Sequence, residues 1–320
     1  MSPRISRGPS RAAVNGVLLL DKPAGMTSNQ ALQQAKRLLL ARKAGHTGSL
    51  DPIATGLLPL CFGEATKLSR FMIESDKRYA AVIQLGVATT TYDSEGEVVE
   101  RRPVVVAHRQ LELALSEFRG EIEQVPPMYS AIKRGGRPLY ELARAGIEIE
   151  REPRCVVIRD IALHAFADHR VTLEIVCSKG TYVRSLAHDL GQRLGCGAHL
   201  AQLRRLAVGS LTLDRAVTLD ALAALPDAAA RAARLVPVDA VVAGIPDVRL
   251  TSLATHYLLR GQPVSVRHRE VPGWVRLYDA EDRFLGMGEV LDDGRVAPRR
   301  LVSVEIETAD GTEPVHKLGC

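Results

Sequence analysis

Alternating and apolar segments along the chain predict a set of β-strands. Residues 17–20 form a short apolar run, residues 79–86 form a longer, mostly apolar segment, and residues 171–177 alternate between apolar and polar side chains. A period of two places every second side chain on one face of a strand, where a core can cover it. The turn-forming residues 93–96 precede two valines at 98–99, so we expect a β-hairpin that pairs this segment with the strand at 79–86.

Apolar residues at helical spacing predict helices between these strands. The first helix begins at a capping box formed by Thr27 and Gln30, in which each residue satisfies a backbone N–H of the other. Further helices are predicted over three segments: residues 108–119, residues 182–194 after a Lys-Gly turn, and residues 219–234.

The last quarter of the chain has a different pattern. Short strands around residues 275–278 and 284–290 are separated by polar turns, which predicts a small β domain over residues 246–310. The segments before it predict a larger unit over residues 16–240. Together these elements predict an α+β fold, in which a mixed, largely antiparallel sheet with flanking helices is followed by a small C-terminal β domain.

Composition and charge indicate a soluble protein with a polyanionic partner. The 320 residues are 46% hydrophobic, which supports a core in each of two domains, and no apolar run reaches the length of a membrane span. Net charge is +5, and residues 1–44 contain eight Lys or Arg against one acidic residue. Basic clusters gain affinity for nucleic acid by releasing counterions from phosphates. Residues 1–15 are expected to form a disordered basic tail, with a transit-peptide fragment as the alternative.

The cysteines, histidines and glycines match no cofactor motif. The five cysteines form no C-x-x-C pair, and the histidines show no H-E-x-x-H spacing. Neither a dinucleotide-binding G-x-G-x-x-G after a strand nor a Walker lysine loop is present. We therefore expect no metal, no disulfide and no cofactor, and the cysteines suit a reducing cytoplasm.

One carboxylate stands out among the candidates for chemistry. Residues 45–59 read G-H-T-G-S-L-D-P-I-A-T-G-L-L-P around the single acid Asp51. Gly48 permits backbone conformations that other residues avoid, and Pro52 keeps Asp51 out of the helical region. An ionised, reachable aspartate on a stiff turn is expected. The alternative is that Asp51 only closes a turn.

The string GHTGSLDPIATGLLPL resembles the catalytic loop of the TruB-type pseudouridine synthases, which isomerise one uridine in the T loop of transfer RNA. The strings KRYAAVIQLG, TTTYDSEG and CSKGTYVRSLAHDLG resemble further motifs of that family, so the similarity extends along almost the whole chain. Departures are minor: Ile53 stands where leucine is usual, and Tyr92 lies within the second motif.

The resemblance implies roles for individual residues. Asp51 is the catalytic residue, and Arg184 pairs with it, which should lower the pKa of Asp51 and keep it ionised. Tyr79 contacts the target nucleotide and is a candidate base for moving a proton. The other residues expected to bind the RNA are His46, which fills the stack left by the flipped base, Tyr182 and Leu203, which wall the uracil, and Lys22, Asp93, Arg204 and Arg205. The pathway stays open, since Asp51 can attack the sugar or the base, or assist elimination through a glycal.

Two further segments resemble RNA-binding parts of the family. Residues 124–152, which contain P-P-M-Y-S-A-I and R-G-G-R, resemble a thumb-like insertion that clamps the RNA stem, with a solvated surface loop as the alternative. The strings VRLYD, FLGMGEV and VAPRRL in the C-terminal domain resemble a PUA domain, a small RNA-binding β-barrel.

The resemblance implies a synthase that converts uridine 55 in the T-stem-loop of transfer RNA without a protein partner. We expect a monomer, although no sequence feature encodes the oligomeric state. Three alternatives remain. A non-catalytic RNA-binding protein would be expected to lack Asp51 or Arg184, and both are present. A synthase guided by a separate RNA would depend on partner proteins. A glycoside hydrolase needs two carboxylates, and no second acid accompanies Asp51 in its loop.

Overall fold

The computed structural model describes residues 14–266 and 272–303. Most of the predicted basic tail at residues 1–15 therefore lies outside the described residues, as do residues 267–271 and 304–310 of the predicted C-terminal domain.

The described residues contain eighteen strands, most of them short. In chain order they are β1 (Gly16–Lys22), β2 (Ala44–His46), β3 (Thr55–Phe62), β4 (Lys77–Leu85), β5 (Val87–Thr89), β6 (Val98–Arg101), β7 (Gly120–Gln124), β8 (Lys133–Arg134), β9 (Arg137–Pro138), β10 (Arg154–Ala167), β11 (Arg170–Cys177), β12 (Ala198–Val208), β13 (Leu211–Thr212), β14 (Asp247–Arg249), β15 (Val264–Ser265), β16 (Gly273–Tyr278), β17 (Phe284–Val290) and β18 (Arg295–Leu301).

Eight α-helices lie between these strands in the described part of the chain. They are α1 (Ser28–Leu38), α2 (Ser69–Glu74), α3 (His108–Ser116), α4 (Leu139–Arg144), α5 (Val183–Arg193), α6 (Leu219–Ala223), α7 (Ala228–Ala232) and α8 (Ser252–Leu258). The capping box predicted for α1 is present, with Thr27 Oγ1 accepting from the Gln30 N–H and Gln30 Oε1 accepting from the Thr27 N–H. No helix among the described residues is long and apolar enough to cross a membrane.

A nine-stranded sheet forms the centre of the larger unit. Its main path runs β1-β3-β12-β4-β11-β10-β7, with β2 added to β3 and β13 added to β12. Every pairing is antiparallel except that between β12 and β3, so the predicted mixed, largely antiparallel sheet is confirmed. The largest apolar cluster includes side chains from this sheet and from α1, α3, α5 and α6, as expected for helices packed on a sheet.

Two local predictions are wrong. The strand at 79–86 does not form a hairpin with 98–99, because both edges of β4 are already occupied by β11 and β12, and β6 pairs instead with β5 in a separate two-stranded sheet. The segment 219–234 is not one helix. Pro226 lacks the N–H that a continuous helix needs, and Asp227 starts α7 by accepting a hydrogen bond from the Ala230 N–H at 2.8 Å.

The C-terminal strands form a second sheet with the order β14-β16-β17-β18-β15, which agrees with the predicted small β-barrel-like unit. Polar and aromatic contacts attach it to the larger unit. Tyr278 donates its hydroxyl to Asp239 Oδ2 at 2.7 Å, and the rings of Phe71 and Trp274 meet edge to face at 5.0 Å. Lys67 Nζ donates to the Leu301 carbonyl at 3.0 Å. The second sheet is thus held at a defined position on the first.

Candidate active site

The loop that carries Asp51 is anchored at both of its ends. It connects β2 to β3, which are themselves paired, and the Thr47 N–H donates to the Pro59 carbonyl at 3.3 Å. From α1, Ser28 Oγ accepts from the Leu50 N–H at 2.7 Å and donates to the Leu50 carbonyl at 3.0 Å. Gly48 has φ of +102°, a conformation that L side chains rarely adopt. These contacts define the position of the Asp51 side chain at the loop's turn.

Lys22 packs against this loop and is fully buried, with 0% of its surface exposed. Its Nζ donates to the carbonyls of Pro23 and Met26, both at 2.8 Å, and lies 3.5 Å from the Pro52 carbonyl. Burial lowers the pKa of Lys22 to about 8, and the nearby Asp51 opposes that change. The RNA contact by Lys22 stays a prediction; in this structure its donors face backbone carbonyls. Lys22 ties the turn after β1 to the aspartate loop.

Arg184 lies against Asp51 at the start of α5. The Arg184 Nε and Asp51 Oδ2 atoms are 2.9 Å apart, and the Arg184 side chain is only 5% exposed, whereas that of Asp51 is 40% exposed. Arg184 Nη1 faces Asp93 Oδ2 at 3.5 Å and donates to the Thr91 carbonyl at 3.3 Å. Arg184 Nη2 donates to the Tyr129 carbonyl at 2.8 Å. Three separate segments therefore hold the guanidinium in place beside the aspartate.

Asp93 is a buried partner of Arg184. Its Oδ1 accepts from the Glu95 N–H at 3.0 Å and from Thr91 Oγ1 at 2.5 Å, which leaves Oδ2 to face Arg184. The role of Asp93 in binding RNA stays a prediction; in this structure its carboxylate is covered and bonded within the protein. Its negative charge helps to keep Arg184 at this depth.

The pKa of Asp51 is raised above the usual value of 3.8. Burial is the main cause, because the surrounding protein replaces water that would stabilise the carboxylate, and the negative charge of Asp93 adds to it. Arg184 and Lys22 oppose the change. The expectation that Arg184 lowers this pKa is correct for the pair alone, but the net direction is the opposite because burial outweighs it.

Arg204 and Arg205, both expected to contact phosphates, are neighbours on β12. Arg205 is 1% exposed, and its guanidinium donates to the carbonyls of Leu57 at 2.7 Å and Gly48 at 3.2 Å. Arg204 points to the other face of the strand, where it donates to Asp21 at 2.7 Å and lines a separate cavity of about 310 Å³. Arg205 holds the two sides of the aspartate loop together. The side chain of Arg204 is 41% exposed, so its contact with phosphates stays a prediction.

A cavity of about 580 Å³ opens in front of Asp51. Several predicted site residues line it: Asp51, Tyr79, Tyr182, Arg184, Leu203 and Arg205. Burial raises the pKa of Tyr79, with Arg205 opposing, so this phenol keeps its proton at neutral pH and is poorly suited to begin as a base.

His46 is the one predicted site residue of β2, and it is not among the residues that line the cavity. Burial and the positive charge of Arg205 lower the pKa of its imidazole, so the ring is neutral near pH 7. A neutral aromatic ring beside the loop suits stacking on a nucleic-acid base better than proton transfer.

The cavity has lining residues that the sequence pattern did not single out. Ser130, Arg154 and Lys179 form part of its wall. Lys179 lies inside the quoted CSKGTYVRSLAHDLG string and Ser130 inside P-P-M-Y-S-A-I, so both could have been found by asking which neighbours of the motifs are polar. Among the residues described, no group of three or more His, Cys, Asp or Glu side chains could hold a metal ion.

Sequence profiles of known protein families match most of the chain. The sequence profile described as TruB family pseudouridylate synthase (N terminal domain) matches residues 36–183. A profile for the tRNA pseudouridylate synthase B C-terminal domain matches residues 184–243, and one for the C-terminal part of pseudouridine synthase II TruB matches residues 246–302.

Similar proteins come from bacteria. The tRNA pseudouridine synthase B of Stutzerimonas stutzeri (strain A1501) is 55% identical over 298 residues, which cover 92% of this chain and 98% of that protein. The enzyme of the same name from Tolumonas auensis is 50% identical over 310 residues, covering 94% of this chain and 96% of that protein.

The fold has solved counterparts. The crystal structure of the archaeal box H/ACA sRNP Nop10–Cbf5 complex contains a chain that matches with a TM-score of 0.68 at 22% identity, covering 91% of this chain and 86% of that one. At this identity the match shows the shared fold.

Proposed function

Because the chain belongs to the TruB family of pseudouridylate synthases, a family of isomerases, we propose that it converts the T-loop uridine at position 55 of transfer RNA to pseudouridine. The observation that carries the proposal is the Asp51 carboxylate, which is paired with the buried Arg184 and faces a cavity of about 580 Å³ with aromatic and apolar walls. The names of the bacterial relatives support transfer RNA as the substrate.

The reaction breaks the bond between uracil N1 and ribose C1′, turns the uracil, and joins C1′ to uracil C5. The C5 proton leaves and a proton is gained at N1, so the product has the same atoms as the substrate and no electrons are exchanged. Asp51 supplies the reactive carboxylate, and Arg184 fixes its direction. Each of the three open routes needs this oxygen inside the cavity: attack on uracil, attack on C1′, or assistance to elimination.

Residues that line a cavity cannot reach the target atoms of a base that stays stacked in RNA, so in the proposal the uridine flips into the cavity. Flipping costs a few kcal/mol, which stacking on aromatic rings can offset. In the proposal, Tyr79, Tyr182 and Leu203 surround the flipped uracil, and His46 lies against the bases that remain in the stack.

The RNA outside the cavity needs its own contacts. We assign them to the insertion at residues 124–152, where Lys133, Arg134 and Arg137 are exposed, and to the C-terminal domain at residues 246–310. Residues 16–240 form the catalytic domain in this assignment. In this proposal the enzyme is cytoplasmic and acts as a monomer without a protein partner or guide RNA.

The direct test uses a transfer RNA transcript labelled with tritium at uridine C5, because exchange at C5 releases the label. Purified wild-type protein without added metal, nucleotide or partner should release label from one uridine per transcript. A transcript in which only uridine 55 is replaced by cytidine should release none. Release that persists from that transcript would place the target elsewhere, and no release from either transcript would contradict the proposed activity.

We also expect the single-turnover rate of the reaction to fall at acidic pH. The raised pKa of Asp51 means that the ionised, active form is lost as the pH falls through a value above 3.8. The charged groups that set this value are Arg184, Lys22 and Asp93, and Glu95 lies close enough to interact. Single-turnover rates measured between pH 4 and pH 9, with RNA binding checked at each pH, should show this fall, the acidic limb of the pH–rate profile, above the ordinary aspartate range. A flat rate down to pH 4 would show that no carboxylate with a raised pKa controls the reaction.

A further inference from the structure

The first residue of the insertion makes a two-point contact with the start of α5. Gln124, the last residue of β7, is 1% exposed. Its Oε1 accepts from the Tyr182 N–H at 3.0 Å, and its Nε2 donates to the Tyr182 carbonyl at 3.3 Å. An amide that pairs with both backbone groups of one residue fixes the position and the orientation of that residue.

The next residues of the insertion continue these contacts along the first turn of α5. Ser185 Oγ donates to the Val125 carbonyl at 2.9 Å, and Arg184 Nη2 donates to the Tyr129 carbonyl at 2.8 Å. Tyr182, Arg184 and Ser185 are thus all bonded to residues 124–129. Two of them, Tyr182 and Arg184, line the cavity that contains Asp51.

The helix start needs such support. Tyr182 is the N-cap residue of α5, yet its side chain makes no capping hydrogen bond. Gln124 satisfies the Tyr182 N–H, which would otherwise be a buried donor without a partner. Arg184 lies in the first helical turn, where the helix dipole disfavours a positive charge, so its position depends on the groups around it.

We propose that Gln124 is a positioning residue for the reaction, which sets the placement of Tyr182 and Arg184 and so transmits the position of the insertion to the Asp51 carboxylate. The inference rests on the proposed synthase activity and deepens it. Gln124 itself does not line the cavity, so it acts through Tyr182 and Arg184. When RNA docks on the insertion, the same hydrogen bonds determine whether Arg184 faces Asp51 in the productive geometry.

The test compares wild type with Gln124→Met, which keeps the length of the side chain and removes both hydrogen bonds. We expect the single-turnover rate of tritium release to fall on the order of 10²-fold, since small errors in placement have effects of this size. The dissociation constant for the transfer RNA should stay within about two-fold, because direct RNA contacts are retained. The acidic limb of the pH–rate profile should also move to higher pH. A displaced Arg184 stabilises the Asp51 carboxylate less, so the pKa of Asp51 rises further.

Gln110→Met is the matched control. Gln110 Oε1 accepts from the Ala107 N–H at 2.8 Å at the start of α3, a comparable capping contact that is remote from the cavity. This variant should turn over at the wild-type rate.

Three outcomes would overturn the inference while leaving the synthase activity of the wild type intact. The first is wild-type turnover by Gln124→Met. The second is a rate that falls together with RNA affinity while the acidic limb stays in place, which indicates a purely structural role. If Gln124→Met does not fold, Gln124→Glu decides, because it keeps an acceptor for the Tyr182 N–H and loses the donor. Wild-type turnover by Gln124→Glu is the third. Absence of tritium release by the wild type would instead contradict the proposed function itself.

Discussion

Asp51→Asn is expected to lower the single-turnover rate of tritium release by at least about 10³-fold, the scale seen when the residue that reacts with a substrate is removed from an enzyme. The amide has nearly the shape of the carboxylate but neither its charge nor its reactivity. RNA affinity should change little, because the contacts outside the cavity remain. The measurement is the rate at saturating enzyme, together with the dissociation constant for the same transcript.

Thermal unfolding provides the control for this variant. The pKa of Asp51 is higher in the folded protein than in the unfolded chain. Protonation of Asp51 therefore stabilises the folded protein at low pH, and this contribution is lost as the pH rises through the folded pKa. Protonation of Asp51 therefore adds no stability at pH 7, and because Arg184 keeps Asp93 as a charged partner, Asp51→Asn is expected to remain folded at the assay temperature. Asp76→Asn, which alters a surface ion pair with Arg159, should keep wild-type turnover. Substantial tritium release by Asp51→Asn would remove the aspartate from the centre of the mechanism.

Arg184→Met is expected to damage both catalysis and stability. Without the guanidinium, the carboxylates of Asp51 and Asp93 lose their shared cation, and Asp93 is left as a buried charge without compensation. Removing one partner of a buried ion pair costs about 3–5 kcal/mol, and losing a preorganised charge in a site lowers rates by about 10²–10³-fold. Chemical denaturation and single-turnover rates measure the two effects.

A second substitution separates these effects. Adding Asp93→Asn to Arg184→Met removes the uncompensated buried charge, while the amide oxygen of the asparagine can still accept from the Glu95 N–H. The double variant should regain much of the lost stability but none of the lost rate. If its rate recovers together with its stability, Arg184 acts only by holding the fold together.

Local sequence signals predicted the elements that depend on local chemistry. The capping box at Thr27 and Gln30 is present, and the alternating segment at 171–177 is the core of β11. Predictions that depended on strand pairing or helix continuity were weaker. Nothing in the sequence around residues 93–99 shows that both edges of β4 are already occupied by strands from residues 170–208.

The same limit applies to the site. The family resemblance placed Asp51, Tyr79, Tyr182, Arg184 and Leu203 in one site, and the structure brings all five to one cavity. The motifs could not show that Lys22, Asp93 and Arg205 are buried, because exposure depends on what the rest of the chain places around a side chain. The direction of the Asp51 pKa shift was missed for the same reason, since an ion pair is visible as two residue types but the loss of water around it is not.

The contacts of Arg205 have a consequence for the order in which the protein can fold as it is synthesised. The aspartate loop at residues 47–54 emerges from the ribosome early, but the Arg205 guanidinium that bridges Leu57 and Gly48 follows it by about 150 residues. The parallel pairing of β3 with β12 forms only at that stage as well. Contacts between such distant segments are slow to form. We therefore expect a nascent chain that ends before β12 to hold the aspartate loop through Ser28 and Pro59 but without the Arg205 contacts, so the site is completed only after most of the catalytic domain has been translated.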